Sequence, residues 1–271
     1  MKIAIVVPCY KSHLTKKELF SLSTINKHLH LYDRYLVSPK KISISLQNFK
    51  NIKLNNSEFD NIDTDSSAKN TNSYTKLCLK RYFYELFSEY DYILICQLDV
   101  IILNNNIKYW CEKKFSYIGA PTVHKYPINK KPWRLKFFCN GGCSLRNIKD
   151  FLNVLNSKDI MLPFNKYSMR ALLKPKKIRK FLNLYFESNK SNNKTEYFLK
   201  NFYLNEDVFW TYFAILFNKD FRLPNLNECL RFAFDGQPEF NFKKNNYSLP
   251  FALHGNFDYS NLLRKIKNED I

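Results

Sequence analysis

Glycine is nearly missing from this chain of 271 residues: there are five, at 119, 141, 142, 236 and 255, where ordinary usage of ~7% would give about nineteen. So few glycines leave no GxGxxG or Walker-type loop, which excludes a phosphate cradle of that kind. A chain this sparing should keep glycine mainly where the backbone needs a positive φ or comes close to another group. Acid is also short, with 24 Asp and Glu against 43 Lys and Arg, a formal charge of +19. Such a field attracts anions, among them nucleic acid, anionic lipid and phosphorylated small molecules. Part of the excess follows from a composition rich in Lys, Asn and Ile together, as an AT-rich genome produces. No apolar run approaches the ~20 residues needed to span a bilayer. The opening Met1 to Pro8 is too short for a signal-peptide core and lacks a cleavage site, so a cytoplasmic protein is expected. The seven cysteines form no CxxC pair, and most sit in or beside apolar runs, as small buried hydrophobes of a reducing compartment do. Cys139 and Cys143 are close in sequence but without partners that would make a zinc site.

What the chain has in quantity is core: 45% of it is hydrophobic and 17% aromatic. Tyr92 to Cys96 is a continuous apolar run without period-2 alternation, the pattern of a strand buried on both faces of a parallel sheet. It delivers one carboxylate, Asp99, beyond its carboxyl end, where open α/β sheets bind ligands. An acid there holds a metal ion and, through it, a diphosphate, or it simply solvates a strand end.

Around that strand the order is β-α-β-β-α-β. Ile3 to Pro8 is the first strand. A helix follows with Thr15 and Glu18 spaced as a capping box and an inward stripe of Leu19, Leu22, Ile25 and Leu29. Short strands are expected at 35–39 and 51–54, a polar loop at 60–73, and a helix from Ser73 with the stripe Leu79, Tyr82, Phe83, Leu86 and Phe87. Farther on come a short helix with Trp110, a strand and turn over 115–121, and a helix with Ile148, Phe151, Leu152 and Leu155 inward. Asn205-Glu206-Asp207 opens a helix with the stripe Phe209, Tyr212, Phe213, Leu216 and Phe217. No internal repeat and no linker divides the chain, so one α/β domain with helices on both faces of a Rossmann-type layered sheet is expected.

Several segments in fixed order resemble the DUF5672 family of bacterial glycosyltransferase-like proteins. They are Tyr92 to Asp99, Tyr109-Trp110-Cys111, Tyr117 to Pro121, Asn140-Gly141-Gly142-Cys143-Ser144-Leu145-Arg146, Asn205 to Phe209, and Leu249 to His254. The resemblance covers about residues 30–260. It implies a GT-A-like fold, with a nucleotide-binding half over about 1–120 and an acceptor half over about 121–271. It also implies transfer of a sugar from a nucleotide-sugar donor, and the leading expectation is a transferase that adds it to a glycan or glycolipid acceptor in the making of bacterial surface glycan such as lipopolysaccharide or capsule.

The same resemblance proposes a site. GT-A enzymes carry Asp-x-Asp at this strand end, and the second acid binds a divalent cation (Mn or Mg) that neutralises the leaving diphosphate. Here the triplet is Gln97-Leu98-Asp99. Asp99 matches the metal position, and Gln97, in place of the first acid, can still hydrogen-bond a ribose hydroxyl. His254, at the end of a late apolar strand, resembles the second metal ligand; its plain alternative is a histidine satisfied by backbone hydrogen bonds. Asp207, with Glu206 as second choice, is the expected general base of an inverting transfer, unless the two acids only favour the helix dipole. Asn140, Gly141 and Gly142 are expected beside the donor sugar, or else as a bulge. Pro8, Cys9 and Tyr10 end the first strand and should face the nucleobase. Lys76 and Lys80 are candidates for the diphosphate, or are merely solvated.

Two other classes compete. A sugar nucleotidyltransferase would show a glycine-rich basic loop after the first strand, and Cys9 to His13 has no glycine. A basic nucleic-acid-binding protein would show a recognised module, and none is present, so nucleic acid is not expected as a partner. The segment from Lys166 to Lys200 holds ten basic residues and two acids, interleaved with Leu172, Leu173, Ile178, Phe181, Leu182, Tyr185 and Phe186. It is expected either to lie on an anionic membrane surface, making the enzyme peripheral on the inner membrane, or to pack its apolar residues on the core.

Overall fold

The computed structural model describes residues 1–59, 73–124, 134–160, 175–255, 259, 260 and 262. Its frame is a six-stranded sheet in the order β3-β2-β1-β4-β9-β6. The strands are β1 (Ile3–Pro8), β2 (Asp33–Pro39), β3 (Lys50–Leu54), β4 (Tyr92–Cys96), β6 (Tyr117–Gly119) and β9 (Cys143–Asn147). β1 to β4 run parallel, and β9 enters antiparallel between β4 and β6. β1 and β4 are buried along their whole length. Alternate side chains feed two cores: Ala4, Val6, Ile93 and Ile95 enter one, and Ile3, Ile5, Val7, Tyr92, Leu94 and Cys96 the other. Burial on both faces is what the unbroken apolar runs encode.

Helix α1 (Lys16–His28) begins with the Thr15–Glu18 capping box. Its inward face differs from the expected stripe: Leu22, Ile25 and Leu29 are buried, but Leu19 is exposed. The inner positions go to Ser21 and Thr24, which bind the backbone of strand β5 (Val100–Ile102). Ser21 Oγ donates to the Val100 carbonyl, and the Ile102 amide donates to Thr24 Oγ1 at 3.0 Å. Polar docking has displaced a leucine from the interface.

The helix expected from Ser73 is two short ones, α2 (Ser73–Leu77) and α3 (Arg81–Glu85), because Lys80 between them is extended, at φ −93° and ψ 134°. The Cys78 carbonyl freed by the break accepts from Tyr84 Oη at 2.7 Å and from Trp210 Nε1 at 3.2 Å. The inward face is therefore Phe83, Tyr84 and Phe87, with Tyr82 and Leu86 exposed. Helices α4 (Ile107–Glu112) and α5 (Ile148–Leu155) follow expectation, with Trp110, Ile148 and Phe151 buried and Leu152 and Leu155 only partly so. The late aromatic stripe folds as α8 (Glu206–Tyr212) and a 3₁₀ turn, Ala214–Leu216. All five of its residues are buried, and Phe151 stacks on Trp210 at 3.9 Å between ring centres.

The basic segment forms α6 (Pro175–Ser188) and α7 (Lys194–Lys200); residues 161–174 and the Ile178 side chain lie outside what is described. Its apolar residues divide. Phe181 and Leu184 are buried, with Phe181 stacked on Phe213 at 4.9 Å, while Leu182 and Phe186 are exposed. No helix among the described residues is long and apolar enough to cross a membrane.

A three-stranded sheet in the order β10-β11-β5 closes the end of β4. β10 (Ala233–Asp235) follows helix α9 (Leu226–Phe232), runs parallel to β11 (Ala252–His254), and aligns Asp235 with His254. β11 is antiparallel to β5 and aligns His254 with Val100. This small sheet brings a residue from near the end of the chain beside Asp99. Among the described residues the remaining elements are a two-stranded ribbon, β7 (Thr122–His124) with β8 (Arg134–Lys136), a 3₁₀ turn, Asn56–Phe59, and helix α10 (Pro238–Lys244).

Candidate active site

Beyond β4 the chain turns at once: the Val100 amide donates to the Gln97 carbonyl at 3.0 Å, and the Gln97 amide donates to the Gly142 carbonyl at 2.8 Å. The turn leaves Asp99 at its tip, partly open to solvent. His254 Nε2 stands 3.5 Å from Asp99 Oδ1, and its Nδ1 stands 3.6 Å from Asp235 Oδ1. The His254 side chain is buried, at 8% exposure. Burial works against its charged form, but Asp235 and Asp99 outweigh that and hold its pKa above the usual histidine value. Asp235 Oδ2 accepts from Asn140 Nδ2 at 3.1 Å, and Asn140 Oδ1 accepts from the Gly142 amide at 2.8 Å. Asp99, His254, Asp235, Asn140 and Gln97 therefore form one cluster around Gly142.

The two glycines are needed for room, but their neighbours are protein groups. A Cβ on Gly142 would overlap the His254 ring and Gln97 Oε1, and one on Gly141 would overlap Glu206 Oε1. The room the glycines leave is thus taken up by the protein's own groups. The two glycines let the 140–142 turn pass between the imidazole on one side and α8 on the other.

Behind that turn lies a second cluster. Arg146, on β9, is fully buried. Its Nη2 donates to Glu206 Oε1 at 2.9 Å and to the Gly141 carbonyl at 3.2 Å, its Nη1 to Tyr84 Oη at 2.9 Å, and its Nε to Ser144 Oγ at 3.0 Å. Burial pushes the Glu206 carboxyl upward while Arg146 pulls it back. Glu206 is thus held through Oε1 by an internal cation, while its Oε2 is buried without a hydrogen-bond partner among the described residues. Its neighbour Asp207 is partly open to solvent yet closely surrounded, and it accepts from the Val208 amide at 2.8 Å. Burial and then the charge of Glu206 raise its pKa to about 7, against the pull of the Val208 and Gly141 amides. A carboxyl poised there is matched to proton transfer near neutral pH. Asn205 stands at the N-cap position, without a side-chain cap bond.

The remaining candidates fall elsewhere. Pro8 and Cys9 are buried, the Cys9 Sγ donates to the Lys11 carbonyl, and burial raises the thiol's pKa, so of the three only Tyr10 is partly open to a ligand. Lys80 is paired with Glu58 at 2.8 Å. Lys76 and Lys80 line a groove of about 950 Å³ with Arg81, Lys158 and Lys200, whose lining includes neither Asp99 nor His254. Two members of the site escaped sequence reasoning, Asp235 and Arg146. Asp235 had a signal: it precedes Gly236, one of the five glycines, which takes a φ of 71°.

The architecture is the GT-A fold of glycosyltransferases. Mouse xyloside xylosyltransferase 1, in its apo form, aligns over 94% of this chain and 98% of its own at 14% identity, with a TM-score of 0.50. An active-site mutant of LgtC aligns over 94% of this chain and 88% of its own at 12% identity, also with a TM-score of 0.50. The chain belongs to the DUF5672 family, described as a protein of unknown function, whose model matches residues 56–254. No curated protein matches it in sequence.

Proposed function

We propose that the protein is a glycosyltransferase that moves a sugar from a nucleotide-sugar donor to an acceptor hydroxyl. The observation that carries this is the convergence of Asp99 and His254 at the carboxyl edge of β4 in a GT-A fold. Among the described residues no three His, Cys, Asp or Glu side chains gather as a complete metal shell. One carboxylate and one imidazole are a partial ligand pair that would suit a divalent transition-metal cation such as Mn²⁺. The donor set also fits on chemistry, since Asp99 is open to solvent and His254 Nε2 faces it. Asp99 and His254 would hold the cation, which when bound neutralises charge on the departing nucleotide.

The chain's own groups do the rest. Gln97, beside the imidazole, offers an amide to a ribose hydroxyl, and Tyr10, at the open end of β1, offers a ring to the base. Asp207, with a pKa of about 7, takes the proton from the acceptor hydroxyl in an inverting transfer. Arg146 holds Glu206 and the Gly141 carbonyl, and so fixes the start of α8 on which Asp207 sits. The acceptor we infer is a glycan or glycolipid of the bacterial surface, met at an anionic membrane. Leu182 and Phe186 on α6 are exposed in a segment of strongly basic composition, which supports that placement.

The test is thermal unfolding against a panel of nucleotide sugars with and without Mn²⁺, since a ligand that binds the native state raises its stability. A rise of several degrees with one donor, present only with Mn²⁺, is expected. No shift with any donor under either condition would overturn the proposal.

A further inference from the structure

Asp235 takes no part in the transfer chemistry above, yet it faces His254, which does, and binds Asn140 of the turn beside it. It lies on β10 in register with His254 on β11, and its two oxygens are divided. Oδ2 accepts from the Asn140 amide at 3.1 Å, and Oδ1 faces His254 Nδ1 at 3.6 Å. That nitrogen is buried and has no partner at hydrogen-bond length among the described residues, so the carboxylate is the group its proton can reach with a small shift. The ends of the two strands are tied again through Tyr259, which accepts from the Gly236 amide at 3.3 Å and donates to the His254 carbonyl. On its other side the ring is held by Gly142, where even a methyl group would overlap it.

A neutral imidazole carries one N–H and one lone pair, and the partner of one nitrogen decides which is where. An ionised carboxylate only accepts. Beside Asp235 the proton belongs on Nδ1, which leaves the lone pair on Nε2, the nitrogen that faces Asp99. Metal-bound histidines commonly hand their second N–H to a carboxylate, which fixes the tautomer and the ring. The two ring nitrogens point in divergent directions, so Asp235 is placed behind the imidazole and Asp99 in front of it.

We propose that Asp235 is a positioning residue: it holds His254 in the Nδ1–H tautomer and, through Asn140, locks the 140–142 turn against the ring, so that His254 Nε2 and Asp99 form a preformed half-site for a divalent cation. This rests on the metal-binding role given to Asp99 and His254 above. Asp235 supplies no ligand and touches no substrate.

Two measurements on the intact chain test it. Long-range ¹H–¹⁵N spectra of the five histidines, with His254 assigned from a His254→Gln variant, report which nitrogen carries the proton. Mn²⁺ affinity, read from the free-ion EPR signal, reports the half-site. The wild type should show Nδ1–H at His254 and bind Mn²⁺ at one site that His254→Gln removes. Asp235→Ala and Asp235→Asn should lose the Nδ1–H signature and weaken Mn²⁺ by about 10- to 100-fold. Asp235→Asn keeps the side chain's shape, so it serves if the alanine variant does not fold. Asn140→Ala removes the other arm and should weaken Mn²⁺ less while leaving the tautomer in place. Unchanged tautomer and unchanged Mn²⁺ affinity in a folded Asp235→Asn would overturn the positioning role and leave the metal site standing. Absence of Mn²⁺ binding by the wild type would overturn both.

Discussion

The guanidinium of Arg146 and the carboxylate of Glu206 meet at 2.9 Å with 0% and 6% of their side chains exposed. The pair sits directly beneath the 140–142 turn and beside Asp207. Removing one partner of such a pair strands a buried charge, which costs about 3–5 kcal/mol, whereas replacing both by apolar residues is often close to neutral. Arg146→Met should therefore lower stability to urea strongly, and adding Glu206→Leu should recover a large part of the loss. A double variant as unstable as the single one would show that the guanidinium's bonds to Tyr84, Ser144 and Gly141 matter more than the charge pair.

Asp207→Asn should fold, bind donor normally and lose transfer by about 10²- to 10⁴-fold, the range for a general base. Wild-type turnover should rise with pH through about 7, as Asp207 ionises. Glu206→Gln removes the neighbouring negative charge and leaves Arg146 near, so the activity of the molecules that fold should rise at lower pH. A dead Glu206→Gln beside an active Asp207→Asn would exchange the two roles.

The same carboxyl makes a prediction about stability. Its folded pKa of about 7 lies above the ordinary 3.8. Its contribution is therefore fully present below about 3.8 and lost as pH rises through about 7. Asp207→Asn should gain in melting temperature over the wild type as pH rises across that window, and a gap independent of pH would contradict the shift.

Gly142→Ala should disturb the site out of proportion to its size. Overpacking of this kind costs about 1–3 kcal/mol, but here the added methyl meets His254 and Gln97. Mn²⁺-dependent donor binding should fall by about tenfold or more, with a smaller loss of stability. Full metal dependence in a stable Gly142→Ala would mean that the ring has freedom the structure does not show.

Anionic vesicles should sediment the protein where neutral vesicles do not, and high salt should release it. Charge reversal at Arg179 and Lys180 should reduce the bound fraction. Equal recovery in the supernatant with both vesicle types would leave α6 as a purely structural element.

The central strands could be read from the sequence because burial on both faces leaves an unbroken apolar run, as in β1 and β4. The α1 start was legible because a capping box is local, Thr15 with Glu18. What could not be read depends on partners distant in sequence. The break at Lys80 is tolerated because Trp210 and Tyr84 satisfy the Cys78 carbonyl, and no periodicity reveals a bond made by a tryptophan on another helix. Leu19 faces solvent because Ser21 and Thr24 found backbone partners in β5. Asp99 and His254 were legible as motif ends, but Asp235 acquires its place only through the pairing of β10 with β11. Arg146 reads in sequence as one more basic residue of a basic chain, and its complete burial follows from Tyr84, Tyr117 and Glu206 converging on it.

The most direct test of the metal-assisted donor site is calorimetric titration of nucleoside diphosphates into the wild type, Asp99→Asn and His254→Gln, with and without Mn²⁺. One nucleoside diphosphate should bind the wild type only when Mn²⁺ is present, and each substitution should weaken that binding by about 10- to 100-fold or more, the size of effect that loss of even an indirect metal contact produces. Equal affinity in all three proteins, with or without the ion, would contradict the claim that Asp99 and His254 hold a cation for the donor.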